Sequence, residues 1–177
     1  SLVKDYYQDN KVVGAVCHGP AALVNVQLDN GRPLLAEKNV SSFTNDEELL
    51  LISEARAVFP FLLQDKIVER GANFREGEMY LEQISHDENL ITGQNPWSTW
   101  SMAERMIQQL GYAPKHRNRT DEENAVRILS VFRSNGKAKA KEAIEHLLVK
   151  ERKPVNRVLI AKHSIIAAMQ GEVGQFF

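Results

Sequence analysis

The sequence predicts an α/β layered fold with a largely parallel sheet, followed by a C-terminal all-helical extension. Three observations predict it. Short β-branched runs alternate with helix-spaced apolar residues as far as about Tyr112. Within Lys11–Leu23 (K-V-V-G-A-V-C-H-G-P-A-A-L) a strand, a turn with no spare residues and a helix start follow directly on one another. Beyond Pro114 the strand signals stop and helical patterns take over. The expected division is residues 1–113 for the α/β part and 114–177 for the extension.

Taken in order, Ser1 to Gln8 reads as the tail of a helix, with Leu2, Val3, Tyr6 and Tyr7 at helical spacing and Asp9-Asn10 as the turn out. The strand of 11–16 carries Val12, Val13 and Val16, and a helix of about 20–28 is expected behind Gly19-Pro20. Asp29-Asn30-Gly31-Arg32-Pro33 is a polar turn, and Lys38 to Phe43 a second strand. Thr44-Asn45-Asp46-Glu47 has the form of a capping box, in which Thr44 and Glu47 satisfy each other's backbone N–H groups. The helix behind it carries Leu49, Leu50, Ile52 and Ala55.

Pro60 opens a helix expected to bury Phe61, Leu62, Leu63, Ile67 and Val68, with Gly71 closing it. Residues 72–76, 82–86 and 90–92 read as short strands, with Asp87-Glu88-Asn89 as a turn. Asn95 as N-cap and Pro96 at the first helical position start a helix expected to bury Trp97, Trp100, Ala103, Met106, Ile107 and Leu110. Lys115 to Arg119 is a basic linker. Three helices then span 121–134, 137–150 and 155 to about 170, broken at Asn135-Gly136 and Pro154.

Composition narrows the function. A formal net charge of −1 gives no reason to expect nucleic acid or a membrane surface as a partner. No apolar run approaches the ~20 residues that span a bilayer, and Ser1 to Asn10 does not read as a signal peptide. The single cysteine cannot form an internal disulfide, and a free thiol fits the reducing cytoplasm. No histidine shows metal-ligand spacing, and no glycine-rich phosphate loop or dinucleotide fingerprint occurs, so no metal or cofactor is expected.

That cysteine, Cys17, stands at the apex of the strand-to-helix elbow, where a side chain projects into the crevice at the carboxyl end of the sheet. Nucleophile competes here with the ordinary use of cysteine as a small buried hydrophobe. A helix N-terminus behind Cys17 is expected to lower its pKa. His18 is placed to be its base or hydrogen-bond partner, against the alternative of a turn residue facing water. The backbone N–H groups of His18 and Gly19 are candidate oxyanion donors. Trp97 and Trp100, one helical turn apart, wall a pocket mouth or fill core; core is the commoner use.

The segments A-V-C-H-G-P-A-A-L, G-R-P-L, S-S-F-T-N-D-E-E, V-F-P-F-L-L and L-I-T-G-Q-N-P, in that order over residues 1 to about 112, resemble the ThiJ/PfpI superfamily. This is the class I glutamine-amidotransferase-like group, and the branch most similar holds heat-shock chaperones that act as glutathione-independent glyoxalases (glyoxalase III). The resemblance implies a flavodoxin-like three-layer sandwich. It also implies a Cys-His pair completed by an acid, which the pattern Phe43-Thr44-x-x-x-Glu48 assigns to Glu48, with Asp46 as the competing acid. Glu48 otherwise reads as an exposed first-turn glutamate favoured by the helix dipole. Asn95, Pro96 and Trp97 become pocket candidates.

A complete fold of this kind has roughly 100 residues before the elbow, supplying a further glutamate and a glycine-rich turn. The sequence is accordingly read as the C-terminal part of such a fold. The implied activity is cofactor-independent conversion of methylglyoxal to lactate, or related deglycase, amidase or peptidase chemistry on a small aldehyde or acyl substrate. A homodimer is implied as well. The competing expectation is a stress-response chaperone or a redox sensor without turnover.

Overall fold

The computed structural model describes residues 1–171. Ser1 caps the helix α1, Leu2–Gln8, by accepting a hydrogen bond from the Lys4 N–H. The strand β1, Val13–Val16, follows, and its residues alternate in direction as the pleat requires. Val13 and Ala15 turn toward a core of Tyr7, Leu23, Leu34, Leu35, Val40, Ile67 and Leu90. Gly14 turns to the opposite face, where an added Cβ would lie 2.6 Å from Met106 Sδ. At Gly14 the end of the Met106 side chain of the later helix α5 therefore packs directly on the strand.

Two small sheets result. In the first, the order is β1–β5–β4: β1 pairs in parallel with β5, Leu90–Gly93, and β5 pairs antiparallel with β4, Ile84–Asp87, across the Glu88-Asn89 turn. The second pairs β2, Asn39–Val40, in parallel with β3, Asn73–Phe74. Side chains join them, since the Ser41 N–H donates to Thr92 Oγ1 at 2.9 Å and the Ser41 and Ser85 hydroxyls meet at 2.8 Å. Helix α5, Thr99–Gln109, covers one face of the first sheet, whereas α1 and α4, Leu63–Glu69, contribute to the core on the other. Helix, sheet and helix form three layers, as the sequence implies.

Thr44 caps α2, Asn45–Leu51, in a complete capping box with Glu47. A single-turn helix α3, Ala55–Val58, precedes α4. Several local expectations give way to tertiary structure. No helix of 20–28 forms: the chain makes one 3-10 turn at Gly19–Ala22 and then bends, because Leu23 and Val24 sink into the core and Gln27 bridges back to Pro33. Helix α4 begins at Leu63 rather than Pro60, leaving Phe61 and Val68 exposed. Along α5 only Met102 is buried, and Ile107 and Leu110 face outward.

The chain divides into two units, Ser1–Lys115 and His116–Phe177, of which residues 172–177 lie outside the described residues. In the second unit Thr120 and Glu123 form a capping box that starts α6, Asp121–Glu145. This helix is kinked at Gly136, whose φ of 79° is a conformation that glycine adopts without strain. A π-turn at His146–Lys150 and the helix α7, Arg157–Met169, complete the unit. Its apolar face comprises Ala125, Val126, Ile128, Leu129, Leu147 and Leu159, with His163 buried on α7. The boundary between the units falls within the segment read as a linker, 115–119. Arg117 forms a two-pronged ion pair with Glu123, and Lys153 donates to Asn118 at 2.7 Å, which folds 116–119 onto the helices. Among the described residues no helix is long and apolar enough to cross a membrane.

Candidate active site

Cys17 follows β1 directly, with its φ at 60°, in the left-handed region that side-chain-bearing residues avoid. Two backbone hydrogen bonds hold it there. Its own N–H donates to the Gly93 carbonyl at 2.9 Å, and its carbonyl accepts from the Phe43 N–H at 3.0 Å. A strained residue pinned from both sides is a recurrent mark of functional positions. The sulfur is half-buried.

Three side chains then line up. Cys17 Sγ lies 3.3 Å from His18 Nδ1, and His18 Nε2 lies 2.6 Å from Glu48 Oε2. A carboxylate at that distance fixes the neutral tautomer: Nε2 carries the hydrogen and donates to Glu48, which leaves Nδ1 to accept the thiol proton. The Phe43 ring lies against the imidazole, with centroids 4.5 Å apart, and Tyr80 meets Phe43 edge-on at 6.0 Å. The capping box brings Glu48 here, since it starts α2 beneath the elbow and places the next residue toward His18. Asp46, the competing acid, is exposed on the far side of the same turn.

Glu47 does more than cap. It is fully buried, and Oε1 accepts from the Tyr80 N–H at 2.7 Å, Gln94 Nε2 at 3.1 Å and Asn95 Nδ2 at 2.8 Å. Oε2 accepts from the Thr44 N–H and hydroxyl. Burying a carboxylate is costly unless its lone pairs are answered, and here five donors answer them. The Tyr80 hydroxyl, in turn, donates to the Glu47 carbonyl at 2.9 Å. The sequence offers the capping signal for Glu47 and nothing that points to Tyr80, and Gln94 enters only as part of the T-G-Q-N-P segment.

The remaining candidates are placed differently from one another. Asn95 is wholly buried, its amide donating to Glu47 and to the Leu81 carbonyl and its oxygen capping the Trp97 N–H, so it does not line a pocket. Pro96 is exposed and Trp97 half-exposed. Trp97 and Trp100 stack on each other at 6.0 Å rather than entering the core. Among the described residues no group of three or more His, Cys, Asp or Glu is disposed to hold a metal ion.

The electrostatics correct one expectation. Burial pushes the Cys17 thiol up; the His18 backbone N–H pulls it down, and the charges of Glu47 and Glu48 add to the rise, leaving it above its ordinary value. No long helix stands behind Cys17 to favour a thiolate. At rest the sulfur is thus a thiol rather than a preformed thiolate. Burial, then the charges of Glu47, Glu48 and Cys17, likewise push the Tyr80 hydroxyl up to about 12, so it stays protonated as a donor.

No family model matches the chain. It is 32% identical over 105 residues to glyoxalase 3 of Candida albicans, covering 57% of this chain and 44% of that protein. It is 32% identical over 113 residues to the glutathione-independent glyoxalase HSP31 of Saccharomyces cerevisiae, covering 62% and 48%. Among solved structures, glyoxalase III of Candida albicans superposes with a TM-score of 0.56 at 30% identity, over 61% of this chain and 47% of that one. A rapid encystment protein of Francisella tularensis gives 0.58 at 39% identity, again over 61% and 47%. The chain spans about half the length of the curated relatives it matches. Over that shared part, the chain is similar in sequence and fold to glutathione-independent glyoxalases.

Proposed function

We propose that the protein is a cofactor-independent cysteine enzyme of glyoxalase III type, converting a small 2-oxoaldehyde such as methylglyoxal to the 2-hydroxy acid. The observation that carries this reading is the line from Cys17 through His18 to Glu48, at 3.3 and 2.6 Å. Its relatives' names supply the reaction class. His18 Nδ1 takes the thiol proton as Cys17 Sγ bonds to the aldehyde carbon, and Glu48 stabilises the imidazolium that forms. The developing oxyanion is met by the N–H groups of His18 and Gly19. A proton leaves C1 of the hemithioacetal and one is added at C2, so the former aldehyde carbon becomes a thioester as the neighbouring ketone becomes an alcohol. Water then cleaves the thioester, releasing lactate and restoring the thiol. Oxidation at C1 balances reduction at C2, and no external oxidant is needed.

The first experiment measures lactate formed from methylglyoxal by the full-length protein and its Cys17→Ser and Glu48→Gln variants. Turnover lost with Cys17→Ser and reduced with Glu48→Gln supports the reading. No turnover in the wild type, with Cys17 still open to alkylation, overturns it in favour of an acyl substrate on the same thiol. A cytoplasmic location and a homodimer belong to the same proposal, the latter checked by sedimentation.

One further observation favours a second activity. Val149, Val158, Ile165 and Met169 in the helical unit are each more than 60% exposed, which suits the holding of unfolded clients. Suppression of client aggregation that survives Cys17→Ser separates this activity from turnover.

A further inference from the structure

The overall charge of −1 conceals an asymmetry. Residues 1–115 carry 10 Lys and Arg against 16 Asp and Glu, and residues 116–177 carry 12 against 7. Within the second unit, part of the positive charge gathers on one cavity of about 160 Å³ near the start of α6. Arg117, Arg119, Arg127 and Lys153 line it, together with Asn118 and Glu151.

The four cations are not equivalent. Arg117 holds Glu123 through both guanidinium nitrogens, at 2.6 and 2.7 Å. Burial works to raise the Glu123 carboxyl, but the Arg117 hydrogen bonds, the Thr120 N–H and the charges of Arg117 and Arg119 outweigh it and hold the group below its ordinary value. Glu123 is thus a fixed anion already matched to Arg117. Lys153 is oriented by Asn118 at 2.7 Å. Glu151 stands 3.1 Å from His146 Nδ1. Arg119 and Arg127 make no hydrogen bond or ion pair among the described residues, although both are in the wall of the cavity.

Two arginines thus line one small space, and planar guanidinium forks match the paired oxygens of a tetrahedral oxyanion. The cavity has about five waters' worth of room, enough for one such group. Thr120 and Glu123 already cap the first turn of α6, so recognition falls to the side chains. We propose that this cavity binds a dianionic phosphate group, carried by inorganic phosphate or by a small phosphomonoester, through Arg119 and Arg127 with Lys153 in support.

The test is calorimetric titration of the full chain with inorganic phosphate and, separately, with phenyl phosphate, at fixed chloride. Saturable one-to-one binding is expected, and the tighter probe identifies the source. Arg119→Ala/Arg127→Ala weakens the binding by about tenfold or more. The charge-conserving pair Arg119→Lys/Arg127→Lys, which leaves the helices' charge balance intact, weakens it by less. Failure of both probes to saturate overturns the proposal, as does an affinity unchanged in the alanine and lysine pairs alike. Binding of a single-stranded oligonucleotide with steep salt dependence, and of neither probe, overturns it in favour of a polyanion surface.

Discussion

The crevice above β1 and the cavity at the start of α6 handle charge in opposite ways. In the crevice, the carboxylate of Glu47 accepts from five donors and that of Glu48 from His18. In the cavity, Arg117 is matched to Glu123 whereas Arg119 and Arg127 are left open. Matched charge sets geometry, because each bond fixes an orientation. Open charge recruits, because only a ligand can complete it. The two matched carboxylates stand one residue apart on α2, where Glu47 holds the scaffold and Glu48 the imidazole.

The largest effect is expected at the nucleophile. Cys17→Ser lowers methylglyoxal turnover by about 10⁴-fold or more, read by lactate assay, while phosphate affinity in the other unit is unchanged. Next comes Glu47→Ala, which strands the Tyr80 N–H and the amides of Gln94 and Asn95; chemical denaturation should show a loss of about 3–5 kcal/mol. Glu48→Gln sharpens the comparison between the neighbours, since it keeps an acceptor but removes the charge. A fall of about 100-fold in kcat with little change in melting temperature is expected, and equal destabilisation by the two variants would break the distinction.

A smaller effect concerns pH. Because burial and the two glutamates raise the Cys17 thiol, its alkylation should inflect above the ~8.5 of a free cysteine and run slower than free cysteine at pH 7. Glu48→Gln removes one of the charges responsible and moves the inflection down; an inflection well below 8.5 in the wild type would instead mean a preformed thiolate–imidazolium pair. The smallest is Thr120→Ala, which removes the α6 cap at a cost of about 1 kcal/mol to the helical unit, seen as a lower denaturation midpoint with turnover unaffected.

What the sequence discloses of this molecule is what is local. The elbow, the Thr44–Glu47 box and the Asn95–Pro96 start are written within four residues each, and all three are present. The helix expected at 20–28 fails because Leu23 and Val24 find a better place in the core than on a helix face. That choice depends on Leu34, Leu63 and Ile67, distant along the chain. The same is true of the site. Glu48 is singled out by the family resemblance, through the pattern Phe43-Thr44-x-x-x-Glu48, whereas the inner role of Glu47 rests on donors 33 to 48 residues away. The segment 115–119 reads as a linker because it is basic and polar, and the partner that orders Asn118, Lys153, lies 35 residues further on.

The left-handed backbone at Cys17 bears on how such a protein changes over generations. A non-glycine residue held there costs of order 1–3 kcal/mol. Glycine would sit at φ 60° without strain, so Cys17→Gly should yield an inert protein that melts higher than its parent. Selection for folding alone therefore pushes this position away from cysteine. On the proposed function, a lineage that retains Cys17 there is held by the chemistry, and one without that activity is free to drift toward the sturdier residue.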